Sequence, residues 1–194
     1  MKFTKIPSDA FQKLQITAGS LTTAFTPATG TIGEAGQIGA TTGGVNFTAT
    51  PTYSDFGEDI DNCPKNMKEL KRLDSWEAKM MGTFINADTK IAKSLCGAAD
   101  VGTSDGKVTP RNDLSDADFA DIWLVGDYSD KNGEKNGGFI AIHLMNALST
   151  GGFQLQTSDK AKGQFAFEYT AHYSMAAQDT VPFEIYIKAG TAEG

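Results

Sequence analysis

Positive charge is the first thing this sequence is short of. Seventeen Lys and Arg stand against twenty-four Asp and Glu, for a formal net charge of −7. Grip on a phosphate backbone comes from Lys and Arg displacing counterions, so an acidic chain is a poor nucleic-acid binder. Cysteine is nearly absent. Cys63 and Cys96 belong to no paired motif, which predicts two reduced thiols in a protein made in the cytosol. Only two histidines occur, His143 and His172, and no H-E-x-x-H or H-x-x-x-H pair can be written. No apolar run approaches the ~20 residues of a spanning helix. The opening Met-Lys-Phe-Thr-Lys-Ile-Pro-Ser lacks an apolar core, so no signal peptide is expected.

What is present is a chain of ordinary globular hydrophobicity, 40% apolar over 194 residues, enough for a single domain spanning 1–194. Glycine (21) far outnumbers proline (6) and clusters where turns are needed. Residues 1–44 read as a flexible N-terminal arm with one possible strand at Leu14–Thr17. Within it, 26–44 is rich in Gly, Thr and Ala and nearly uncharged. Residues 189–194 read as a short C-terminal tail.

Between these ends the dominant period is two. Val45, Phe47, Ala49 and Tyr53 alternate with Asn46, Thr48, Thr50 and Thr52. Trp76, Ala78, Met80, Gly82 and Phe84 alternate with Glu77, Lys79, Met81 and Thr83. Further strands are expected at 122–125, 139–148 (apolar on both faces, hence covered on both sides), 153–156, 164–174 and 182–188, the last with Phe183, Ile185 and Ile187 inward. Residues 129–138 make a polar hairpin tip. Asp88 is a good N-cap for one short helix over about 88–99, with Ile91, Ala92 and Leu95 on its apolar side. The fold class that follows is mainly β, a two-sheet sandwich or barrel with one helix.

A long charged loop is expected at about 54–74. It is acidic first (Asp55, Glu58, Asp59, Asp61) and basic after (Lys65, Lys68, Lys71, Arg72). Loops of that length inside a compact domain usually carry function. The acidic cluster lacks the spacing of a calcium loop, so a surface or interface loop is expected instead.

Catalytic patterns fail on context. Gly102-Thr-Ser-Asp-Gly106 matches G-x-S-x-G, but the residues around Ser104 are turn-forming, not a strand and a helix. His172 shares a polar strand face with Glu168, as a solvated histidine would. Asn46-Phe-Thr lies inside a strand with no export signal, and Gly33–Gly44 lacks the strand and helix of a phosphate-binding turn. No catalytic residues, cofactor or metal are expected.

Three blocks carry a resemblance that spans essentially the whole chain. They are Ile38-Gly-Ala-Thr-Thr-Gly-Gly-Val-Asn-Phe-Thr-Ala-Thr-Pro with Asp55-Phe-Gly-Glu-Asp-Ile-Asp-Asn-Cys-Pro-Lys-Asn, the strand at 120–129 with its Lys131-Asn-Gly-Glu-Lys-Asn-Gly-Gly tip, and Gly163-Gln-Phe-Ala-Phe-Glu-Tyr-Thr-Ala-His-Tyr-Ser. Together they resemble the major tail protein of long-tailed bacteriophages. The resemblance implies hexameric rings stacked into a hollow tail tube, a continuous β-barrel lining its lumen, an outer helix, and a long loop reaching the next ring. It also implies a virion protein assembled in the host cytoplasm, with tape-measure and tail-terminator or tail-tip proteins as partners and DNA passing through without specific binding. No membrane is involved.

On that reading Asn46, Thr48, Thr50, Thr52, Glu77, Lys79, Gln164, Glu168, Thr170 and His172 face the lumen. Lys79 is the one cation among them, offset by Glu77. The loop residues Asp55, Glu58, Asp59, Asp61, Lys65, Lys68, Lys71 and Arg72 supply the ring-to-ring contact. Two other classes remain open at this level. One is a monomeric β-sandwich module binding carbohydrate, disfavoured because Tyr and Phe fall on the apolar faces. The other is a different virion structural protein, such as a capsid decoration subunit.

Overall fold

The computed structural model describes residues 6–15, 17–33, 36–128 and 137–190. Along them run thirteen strands: β1 Ser20–Thr22, β2 Phe25–Thr26, β3 Thr31–Ile32, β4 Gln37–Gly39, β5 Thr41–Asp55, β6 Lys71–Phe84, β7 Ala99–Val101, β8 Val108–Pro110, β9 Ala120–Tyr128, β10 Gly138–Ser149, β11 Gln154–Gln156, β12 Gln164–Thr170 and β13 Phe183–Lys188. The helix α1, Thr89–Cys96, lies between β6 and β7. Nine of the strands form one antiparallel sheet in the order β4-β1-β9-β10-β12-β6-β5, with β11 added on β12 and β13 on β10.

That sheet closes into two layers because β10 changes partners along its length. One edge of β10 pairs with β9. The other pairs with β13 over Phe139–Leu144 and with β12 at Leu148 and Ser149. The switch falls at a bulge, where Asn146 takes φ 48° and its N–H donates to the Asp121 carboxylate at 3.0 Å. Leu21, Ile122, Leu124 and Leu144 from one layer then meet Ala78, Met80, Phe84, Phe167 and Tyr169 from the other, and Ile91 and Leu95 of α1 join this core. The opposite face of β10 is covered as well. There Ala141 packs with Phe25 and Trp123 under the β2–β3 hairpin. The both-faces burial expected of 139–148 is met in this way.

Helix α1 starts where the capping rule puts it, with the Asp88 carboxylate accepting from the Ile91 N–H at 2.7 Å. It stops at Cys96, three residues before the expected end, because Gly97 takes φ 77° and the chain enters β7. Tyr169 Oη lies 2.8 Å from Ser94 Oγ, and Ser149 Oγ donates to Leu95 O at 2.9 Å, tying the helix to both layers.

Other boundaries move too. The expected pliable arm is part of the sheet from Ser20 onward. Strand β1 pairs with β9 and β4, and 26–44 holds parts of β2–β5. Apolar Leu21 and Phe25, buried in the two cores, anchor what low charge and glycine alone suggested was loose. The expected strand at Leu14–Thr17 is reduced to a single bridge from Gln15 to Tyr128, with Ile16 outside the described residues. The expected hairpin tip at 129–138 lies almost wholly outside the described residues, as does the tail from 191 on.

Candidate assembly surfaces

The β5–β6–β12 layer has two chemically different faces, and its register decides which side chains share them. Thr48, Lys79 and Thr170 are direct cross-strand partners in a row, as are Asn46, Met81 and Glu168. Thr50 sits opposite Glu77, and Thr52 opposite Ser75. Directly opposed residues point the same way, so Asn46, Thr48, Thr50, Thr52, Glu77, Lys79, Glu168 and Thr170 come together on one face. Gln164, paired with Gln156, keeps the same phase along β12. Val45, Phe47, Ala49, Ala78, Met80, Phe84, Phe167 and Tyr169 turn into the sandwich.

Lys79 is the only cation of this group. Its Nζ lies 2.8 Å from Glu77 Oε1 and 3.6 Å from Glu168 Oε1. The Glu77 hydrogen bond, more than any other influence, raises the lysine's hold on its proton. Glu168 also accepts from Thr150 Oγ1 at 3.0 Å, and Thr150 Oγ1 lies 2.8 Å from Thr170 Oγ1. The surface is small, hydroxyl-rich and without an uncompensated positive charge.

His172 does not belong to it. Strand β12 ends at Thr170, and Ala171 N–H donates instead to Ala78 O. His172 lies beyond the strand, where its carbonyl accepts from Asn146 Nδ2 at 3.1 Å and its ring sits edge-on to Phe119. Alternation predicted a polar-face residue; the bulge at Asn146 captures it.

The β5–β6 hairpin projects past β12, whose pairing with β6 runs only from Phe165 to Thr170. Asp55, Lys71 and Arg72 fall inside these strands, so the loop is shorter than the 54–74 expected and covers 56–70. The charges at the strand ends beside it are occupied within the hairpin. The Asp55 carboxylate accepts from the Gly57 and Asn66 N–H groups at 2.9 and 3.0 Å, which hold it below the usual carboxylate range. Lys71 Nζ donates to Asn66 Oδ1 at 2.9 Å. Asp74 takes the Ser54 hydroxyl and Arg72 Nε, the first being the larger cause of its lowered pKa. Glu58, Asp59, Asp61, Lys65 and Lys68 lie on the exposed tip.

Solvent reaches apolar side chains here. Tyr53, Phe56, Ile60, Met67 and Leu73 are all exposed. An extra residue in β6, Asp74, breaks the register between Thr52 and Tyr53, so Tyr53 pairs with Leu73 beyond the end of the sandwich. Ile185 and Ile187, expected inward, are also exposed. Phe183 in the same phase reaches Phe47 and Trp76, but the facing layer ends there. These apolar residues were missed as surface features because period alone does not say where the opposite layer stops.

No catalytic arrangement accompanies these surfaces among the described residues. Ser104 is exposed in a bend between β7 and β8, and no group of three or more His, Cys, Asp or Glu side chains is placed to hold a metal ion. Cys63 and Cys96 are free thiols. No helix of the described residues is long and apolar enough to cross a membrane. No known protein family matches the chain, and no curated protein matches it either, so the role of these surfaces is inferred from their own chemistry.

Proposed function

We propose that this chain is the structural subunit of a bacteriophage tail tube, assembling into six-membered rings that stack around a lumen for genome passage. The observation that carries this is the face of β5, β6 and β12, where hydroxyls and amides surround a lysine already held by two carboxylates. A conduit for DNA needs a wetted wall that offers phosphates no free cation, since each Lys or Arg contact adds affinity and hence drag.

The edges of the same layer support assembly. Trp76 N–H donates to Tyr173 Oη and Ala78 O accepts from Ala171, both pointing away from β5. Their partners Pro51 and Ala49 therefore turn their main-chain groups to the outer edge of β5, as does Phe47 two residues on. Among the described residues this edge of β5 has no partner strand, and a long open edge of this kind is a template for another chain. Only Pro51, with no N–H to offer, interrupts it. A neighbouring subunit pairing there would extend the polar face into a closed barrel. The hairpin 56–70, with its exposed apolar residues, would reach the next ring. The tube would be built in the host cytoplasm and reside in the virion tail, with tape-measure and terminator or tip proteins at its ends.

Mass photometry across a concentration series tests this. A species near six copies of the 20.6-kDa chain, about 124 kDa, is expected, with higher multiples as concentration rises. A monomer at every concentration would count against it.

A further inference from the structure

The two arms of the β5–β6 hairpin are the electrical extremes of the chain. Residues 55–62 hold Asp55, Glu58, Asp59 and Asp61 with no base, a net of −4 and the most acidic eight-residue stretch in the sequence. Residues 65–72 hold Lys65, Lys68, Lys71 and Arg72 against Glu69, a net of +3 and the most basic one.

The arms are not paired with each other. Lys68 lies 3.5 Å from adjacent Glu69, Arg72 lies 2.9 Å from Asp74, and Lys71 donates to the neutral Asn66 amide. Among the described residues no ion pair crosses from one arm to the other, and Glu58, Asp59, Asp61 and Lys65 have no ion-pair partner at all. All four are exposed on an element that projects beyond β12.

We propose that the hairpins of neighbouring copies in a ring stand side by side, the acidic arm of one against the basic arm of the next. This rests on the ring assembly proposed above and names what the hairpin's charges meet. Cyclic symmetry puts every hairpin at the same end of the ring, and an element bearing both signs can repeat one contact round a closed circle. Charge selects the occupant, because no other stretch of the chain complements either arm as well. The next most acidic region, 113–121, is already engaged: Asp118 is closed against Arg111 at 2.6 Å, and Asp121 lies 3.2 Å from His143. The charges set partner and register more than affinity, which leaves exposed Phe56 and Ile60 for the next ring.

Charge exchange tests it. One variant carries Glu58→Lys, Asp59→Lys and Asp61→Lys, so that both arms are positive. The other carries Lys65→Glu and Lys68→Glu, so that both are negative. All five side chains are exposed, and circular dichroism with a Tm checks that each variant folds. The single changes Asp59→Lys and Lys65→Glu repeat the comparison should a multiple variant fold poorly. Each variant alone is expected to need at least about tenfold more protein than wild type to form rings, because like charges then face one another. An equimolar mixture is expected to return to the wild-type concentration, with both variants in equal amounts in each ring. Wild-type assembly by either variant alone would overturn the hairpin contact and leave the tube standing. Impaired variants that mixing does not rescue would also overturn it, since their charges then meet a different surface. If the wild type forms no rings, the ring reading fails by itself. Pairs formed only in the mixture would then still support the hairpin contact, and their absence would overturn both.

Discussion

Lys79 Nζ lies 2.8 Å from Glu77 Oε1, two residues away on the same face of β6, and 3.6 Å from Glu168 on β12. The pair is exposed enough that its worth to folding is small. Its consequence is for what the face offers a phosphate. Replacing both carboxylates, Glu77→Gln with Glu168→Gln, releases one cation per subunit. Assembled tubes of this variant are expected to retain DNA at low salt, with affinity falling as salt rises by about one counterion per contact. Wild-type tubes and Lys79→Ala tubes are expected to retain none. Equal retention by all three, read by co-sedimentation, would show that this face does not meet DNA.

Asp118 gives a pH signature of folding. Its carboxylate accepts from Ser115 N–H and from Arg111 at 2.6 and 2.8 Å, and its side chain is closed off from solvent. The Ser115 N–H is the foremost cause of a pKa held below the usual value, with Arg111 adding to it. A carboxyl lowered in the folded state contributes stability above its unfolded pKa and loses it as pH falls through the folded one. Asp118→Asn is therefore expected to lower Tm clearly at neutral pH, with the gap to wild type closing below the ordinary carboxylate range. A pH-independent gap would mean that packing, not charge, holds this turn.

Helix α1 tests the local rules. Asp88→Ala removes the acceptor for Ile91 N–H and is expected to cost about 1 kcal/mol by denaturant titration. Leu144→Ala opens a cavity where the layers meet and is expected to cost about 3 kcal/mol, within the range for buried leucines. If the Leu144 change cost no more than the cap, the two layers would not share one core.

How far these features were legible in the sequence follows from what period-two patterning encodes. It reports which side chains alternate, and so it put Asn46, Thr48, Thr50 and Thr52 on one strand face and Glu77 and Lys79 on another, while their opposition across β5 and β6 comes from the register. It does not report bulges. The one at Asn146 takes His172 off the face, and the one at Asp74 sends Tyr53 and Leu73 into solvent. Nor does it report how far an opposing layer extends, which is why Ile185 and Ile187 were expected inward. The hairpin charges were read as interface groups because they are conspicuous in sequence. Asp55, Lys71 and Arg72 at the strand ends are satisfied by neighbours within the hairpin, while Glu58, Asp59, Asp61, Lys65 and Lys68 share the exposed tip with apolar Phe56, Ile60 and Met67.

That difference predicts how rings join. Deleting 56–70 and bridging Asp55 to Lys71 with a two-residue turn is expected to leave a folded subunit that forms single rings and no tubes. Phe56→Ser with Ile60→Ser is expected to weaken stacking more than neutralising Lys65 and Lys68. If stacking instead collapsed in high salt and survived the serine changes, the charges would be the contact.

The most direct measurement is negative-stain electron microscopy of the purified chain across a concentration series. Sixfold rings and hollow tubes of stacked rings are expected as concentration rises. A field of separate monomers at every concentration would contradict the tube.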